Sequence, residues 1–348
     1  TTTINGGTLR FTNVADLAAV STMVFNINNG STLEFTGTGQ TIFEGAGDNI
    51  TFDSGGGGSI LLTKNPIFRT GASIITTGGA MNTISGTWIN GQNTYFITYD
   101  TAVGTGAAAL QVASNHLNIG IIKNGLGTLL LTDASNGMAQ ATNTLTINAG
   151  TLEIGSAGRL NAGSYDRAIT NNGTFSYNST AAQTLSGNIT GTGNLTKSNN
   201  STLTLSGAGT NFSGLTTINA GTLAISNNMT IGAIAGAGNM TLGSGFTLTT
   251  YSTTNSTFSG VISSSGALMK NGTSTLTLSG NNTYSGGTTL NAGGININAA
   301  TAIGNGTLTI VSGTLDNTSG ANLTLTSNNA QNWNGNFTFT GTNDLNMG

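Results

Sequence analysis

Ile218-Asn219-Ala220-Gly221-Thr222-Leu223-Ala224-Ile225 is a short apolar strand, a turn and a second short strand, and the chain repeats it. It stands earlier as Ile147-Asn148-Ala149-Gly150-Thr151-Leu152-Glu153-Ile154 and later as Leu290-Asn291-Ala292-Gly293-Gly294-Ile295-Asn296-Ile297. Upstream, Ile4-Asn5-Gly6-Gly7-Thr8-Leu9-Arg10-Phe11 is a fourth copy, and Ile75-Thr76-Thr77-Gly78-Gly79-Ala80-Met81 a degenerate fifth. The copies begin at positions 4, 75, 147, 218 and 290, a spacing that holds constant to within a single position. A constant period of this kind marks a repeat architecture. Lys123, Lys197 and Lys270 keep nearly the same beat, each shortly before a leucine-rich run: Leu129 to Leu131, Thr202 to Leu205 and Thr275 to Leu278.

Within a repeat the apolar residues alternate. Leu203 and Leu205, Leu276 and Leu278, Leu308 and Ile310, and Leu323 and Leu325 each share one face, with Thr, Ser or Asn opposite. Period-two alternation in runs of about five residues, bounded by Gly, Asn and Ser, reads as half-buried β-strand. No 3.6-residue period is sustained, and the Ala107 to Leu110 patch is too short for an ordinary helix. The predicted fold is all-β: a parallel β-helix (β-solenoid), with roughly 20–25 residues per coil and so about three coils in each ~72-residue repeat. A propeller fits less well, because its blades are about 40–50 residues and carry their own sequence marks. The prediction is one continuous solenoid segment over residues 1–348.

Composition narrows the function. Of 348 residues, 54 are Gly, one is Pro and none is Cys; charged residues are 5% and the formal net charge is -3. Charged residues make up about a quarter of an ordinary domain, so the exterior must be built from Thr, Ser and Asn. There is no basic stripe to neutralise phosphates, which argues against nucleic acid as a partner. The lack of Cys removes disulfides and thiolate chemistry. Nothing approaches 18 consecutive apolar residues, so no membrane-spanning helix is expected.

Leu276-Thr277-Leu278-Ser279-Gly280-Asn281-Asn282-Thr283-Tyr284-Ser285-Gly286-Gly287-Thr288-Thr289-Leu290-Asn291-Ala292-Gly293 closely resembles the autotransporter-associated β-strand repeat, also called the passenger-associated transport repeat. Leu203 to Leu223 is a second good match, and Gly127 to Leu152 a stretched third. The resemblance implies an autotransporter passenger: exported unfolded, folded outside a bacterial cell into a right-handed β-helix, and held at the outer membrane by a C-terminal translocator. In that family the repeat is associated with passage or folding, not with catalysis. On this reading the chain is an excerpt of a longer protein.

Candidates for chemistry are sparse. His116 is the sole histidine, in Ser114-Asn115-His116-Leu117, with no nucleophile elbow around it. Glu44, Asp48 and Asp53 form the densest acidic group, without the calcium-repeat pattern. Gly55 to Gly58 precedes a strand and lacks the Lys-Ser/Thr of a phosphate loop. Lys123, Lys197 and Lys270 are expected as a sparse row along one side, either guarding strand edges or docking an anionic partner. Trp88, Trp333 and Tyr251 are too scattered to form a stacking platform. No catalytic, cofactor-binding or metal residue is nominated, and no cofactor is expected.

The expected function is therefore that of a non-enzymatic structural or adhesive β-solenoid at a bacterial surface, binding by extended area and avidity. Its expected partners are host or neighbouring cell surfaces, glycans, or identical subunits end to end. Contact with a membrane is expected only through the translocator. The alternatives are a self-assembling filament or surface layer and, further off, a polysaccharide-active β-helix enzyme, which would need carboxylates paired across a groove.

Overall fold

The computed structural model describes residues 1–11, 24–28, 30–35, 42–43, 49–52, 58–62, 67–68, 73–76, 81–86, 88–90, 96–101, 110–113, 115–117, 119–137 and 144–348. Residues 1–183 and 184–348 form two compact units. Each is a parallel β-solenoid, with about 24 residues per turn in the first unit (Ile121↔Leu145, Leu145↔Ile169) and about 20 in the second (Leu268↔Thr288, Thr288↔Leu308). Among the described residues the only helical element is the 3-10 turn Asn161–Gly163.

In the first unit, one face stacks eight strands from Thr2–Ile4 through Leu145–Ile147 to Ile169–Asn171. A second face stacks another eight, from Thr8–Phe11 through Thr151–Ser156 to Thr174–Ser179. A shorter third face carries Ile42–Phe43, Ile67–Phe68, Trp88–Asn90 and Asn115–Leu117. Every strand pair with a defined register is parallel, one coil on the next, as in Ile121↔Leu145 and Leu152↔Phe175.

The second unit repeats the plan. Its first face runs from Ile189–Gly191 to Gln331–Trp333, and its second from Asn194–Lys197 to Phe337–Phe339. Its third face holds Thr202–Leu205, Thr222–Ile225, Asn239–Leu242 and Ile262–Ser264. The alternation does the sorting. Leu203, Leu223, Met240 and Ile262 are in register and buried, so they make one column of the core. Thr204, Ala224 and Thr241 form the outward column beside it. Full burial of each such apolar side chain contributes roughly 1.5–3 kcal/mol. The Leu-x-Leu pairs read from the sequence, 203/205, 276/278 and 308/310, are all buried.

Within the second unit the long repeat is not a whole number of coils. Ile218, Gly236, Phe258 and Leu278 are successive register partners, so the third coil after Ile218 closes at Leu278. The next copy of the repeat begins only at Leu290, and the chain has by then turned the corner. Leu290 lies in the first face, whereas Ile218 lies in the second. These two successive copies therefore sit on different faces of the solenoid.

Candidate functional site

The most regular polar feature is a buried lysine that occurs three times. Lys123, Lys197 and Lys270 are 0%, 0% and 1% exposed. This corrects the expectation of a surface row: the side chains point inward, and Lys197 and Lys270 stand on different faces of the second unit. The reason is phase. Lys197 lies two residues after Leu195 and Lys270 two after Leu268, both core residues, so alternation sends each lysine to the interior.

Each ammonium group fills the turn that follows it and reaches into the next coil. Lys123 Nζ donates to the carbonyls of Asn124 (2.6 Å), Gly125 (2.7 Å) and Ala149 (3.1 Å). Lys197 Nζ donates to Ser198 (2.5 Å), Asn199 (2.7 Å) and Ala220 (3.4 Å). Lys270 Nζ donates to Asn271 (2.6 Å), Gly272 (3.2 Å) and Ala292 (3.5 Å). Burial lowers the pKa of Lys197 and of Lys270 to about 8.

This clasp uses all three residues of the Asn-Ala-Gly signature, the first two through main-chain atoms. The Asn main-chain N–H donates to the lysine's own carbonyl, at 2.9 Å for Asn148, 2.8 Å for Asn219 and 2.9 Å for Asn291. The Ala carbonyl takes the ammonium. The Gly turns the chain with φ of +65° at Gly150, +69° at Gly221 and +76° at Gly293, a region that costs an L-residue roughly 1–2 kcal/mol. A side chain there would also collide with the preceding turn: a Cβ on Gly293 would overlap the carbonyls of Gly272 and Ser274 and lie 2.8 Å from Lys270 Nζ. Lysine, turn and Asn-Ala-Gly, though a full coil apart along the chain, form one packed object.

The histidine is equally internal. His116 is buried, and its ring lies between Tyr99 and Asn136. Asn136 Nδ2 donates to the carbonyls of Asp133 (2.9 Å) and Arg159 (3.0 Å), so Oδ1 faces His116 Nδ1 at 3.0 Å. Nδ1 therefore carries the proton, and the Tyr99 hydroxyl donates to Nε2 at 2.6 Å. Burial lowers the His116 pKa to about 4, against weaker opposing effects of the Asn136 hydrogen bond and Asp133. Burial raises the pKa of Tyr99. A neutral imidazole sealed between two partners cannot reach a substrate, so this chain of hydrogen bonds serves the core.

Glu44, Asp48 and Asp53 lie outside the described residues, as do Gly55 to Gly57. Among the described residues there is no group of three or more His, Cys, Asp or Glu placed to hold a metal. Nor is any helix there long and apolar enough to cross a membrane. Tyr251 and Trp333 are exposed. Trp333 packs edge-on against Phe337 (centroids 5.3 Å apart) beside Phe339, an aromatic group close in sequence that was missed because only Trp88, Trp333 and Tyr251 were weighed as a stacking platform.

The second unit also has a groove of about 590 Å³ at the corner between its first and second faces. Asn194, Ser213, Leu215, Ala235, Asn255 and Thr257 are among its lining residues, and none of the residues lining it is charged. Two features shape it. At this corner the connection Thr192-Gly193 is tight, whereas Ser252 to Asn255 is longer and forms a wall. The outward column of the second face runs Thr196, Thr217, Ala235, Thr257, and its last two members line the groove, where the small alanine stands among threonines.

A parallel solenoid whose successive coils are pinned by buried lysines is thus the class of protein the fold defines. The passenger-associated-transport-repeat family model matches residues 121–154, 195–225 and 268–297, so the chain carries three copies of the repeat found in autotransporter passengers. Each match contains one complete clasp: Lys123 with Ala149, Lys197 with Ala220, and Lys270 with Ala292. The repeat places the protein outside the cell and exposed at the surface. No curated protein and no solved structure matches the chain.

Proposed function

We propose that this passenger-like solenoid is an adhesive segment of a bacterial surface protein, held at the outer membrane by a translocator and binding through many weak, short-range contacts. The observation that supports the reading is the uncharged groove at Asn194, Leu215, Ala235 and Thr257, set in a surface of threonine, serine and asparagine. Such a surface has little long-range field to steer a charged ligand. It offers hydroxyl and amide groups to a neutral, hydroxyl-rich partner such as a cell-surface glycan. A single contact of this kind is weak, and presentation of many copies raises the overall avidity by about 10²–10⁴.

The test compares beads densely coated with the 348-residue chain against the free chain, on epithelial cells and on immobilised neutral polysaccharide. Bead capture should be strong, free-chain binding weak, and capture nearly unchanged between about 0.05 and 0.5 M NaCl, where exposed charge–charge contacts are screened away. Capture that collapses with salt, or beads that bind no surface, would overturn the adhesive reading. Sedimentation of the free chain as long polymers would instead favour a filament subunit.

A further inference from the structure

We infer that the buried lysines are the residues through which the transport repeat acts: each locks two successive coils together and so brakes the unravelling of a partly folded chain. Three observations carry this. The clasp recurs three times with the same atoms in the same roles. It coincides with all three matches to a repeat named for transport. And it adds a buried charged group to the strand pairing, core packing and neutral side-chain bonds that otherwise join the coils.

The third point is the physical one. A coil in a solenoid contacts only its neighbours, so coils can add or peel from an end one at a time. Each step gains or loses one coil's worth of backbone pairing and core. A lysine clasp alters this locally. The ammonium of one coil is satisfied only when the Ala carbonyl of the next coil is in place, so removing that next coil costs a charged group one of its three acceptors inside the protein. Hydrogen bonds to a charged group are about twice as strong as those between neutral partners when short. The cross-coil contact is tightest at Lys123 (3.1 Å) and longer at Lys197 (3.4 Å) and Lys270 (3.5 Å), so the brake is strongest at Lys123. A chain folding progressively from one end would therefore be held at each clasp against slipping back, while the coils between clasps remain free to add or leave. The brake stands on geometry alone; its use during export rests on the passenger reading proposed above.

The full 348-residue chain, tethered by its two termini in an optical trap, tests the inference. Unravelling of the wild type should pause at three places, with the contour length between pauses corresponding to the spacing of Lys123, Lys197 and Lys270, about 3.5 Å for each released residue. Lys270→Met keeps the side-chain length and removes the charge. It should shorten the corresponding dwell severalfold, leaving the pauses at Lys123 and Lys197 as internal controls. Lys123→Met, which removes the shorter cross-coil bond, should have the larger effect, at about tenfold, and at its own position only.

Pauses that fall elsewhere in the wild type overturn the inference without any variant being needed. So does a Lys270→Met chain that loses overall stability while keeping its dwell, because the lysine would then be filling space and not braking. Failure of the bead-capture test with the pauses intact would remove the adhesive reading and leave the brake standing.

Discussion

Gly293→Ala and Gly245→Ala form a matched pair that measures how closely the coils approach at the clasp. Both glycines have left-handed backbone, with φ of +76° and +77°. They differ in surroundings: a Cβ at Gly245 meets nothing within 4 Å, whereas one at Gly293 overlaps two carbonyl oxygens of the coil below. Gly245→Ala should therefore cost the conformational term alone, roughly 1–2 kcal/mol. Gly293→Ala carries the same term and must also push the turn away from its neighbour. That motion strains the bonds from Gly294 N to the Ser274 carbonyl (3.0 Å) and from Thr314 N to the Gly293 carbonyl (2.8 Å), and it loosens Lys270 on Ala292. At about 1 kcal/mol for each of these three hydrogen bonds, the total should be roughly 4–5 kcal/mol. Urea unfolding gives the difference, and amide exchange localises it; protection should fall at Gly294 and Thr314. Equal costs for the two substitutions would refute the close approach and, with it, the packing account of Asn-Ala-Gly.

Lys197 and Lys270 hold their protons less tightly folded than unfolded, so the unfolded chain binds more protons between about pH 8 and the ordinary lysine value. Unfolding free energy should be flat just below about pH 8 and rise from there to about pH 9, beyond which the buried tyrosines, whose pKa burial raises, oppose the rise. Urea titrations at about pH 7, 8 and 9 check this, and Lys270→Met should remove part of the rise. For His116 the folded pKa is again the lower one, so stability should be full above about pH 6.5 and decline as pH falls towards 4. Nitrogen chemical shifts should show the Nδ1–H tautomer of His116, with no titration near neutral pH. Tyr99→Phe strips Nε2 of its donor and should cost about 1–3 kcal/mol in the same urea assay.

Much of the fold was legible in the sequence. Period-two leucines marked the strands and their inner faces, and the spacing of the Asn-Ala-Gly copies pointed to the solenoid. The lysines were misplaced because charge was read before phase. Lys197 and Lys270 occupy the apolar phase of their strands, two residues after Leu195 and Leu268, and the alternation rule that sorted the leucines would have put them inside. Their acceptors were not legible, because Ala220 and Ala292 become neighbours only once the coil length is known. The same holds for His116, whose partners lie 17 and 20 residues away in sequence. The change of face between copies was hidden for a different reason. Individual coils vary in length: the one from Ile218 to Gly236 is shorter than the one from Gly236 to Phe258. A long period cannot by itself reveal how it divides.

Register is the direct test of parallel coils stacked face upon face. The chain has no cysteine, so pairs introduced at the outward positions Thr204, Ala224 and Thr241 report without background. Thr204→Cys with Ala224→Cys, and Ala224→Cys with Thr241→Cys, place neighbours in register on adjacent coils, within the span a disulfide can bridge. Both pairs should oxidise readily, and Thr204→Cys with Thr241→Cys, two coils apart, should not. Ready cross-linking of the two-coil pair, or failure of both adjacent pairs, would contradict the stacked solenoid.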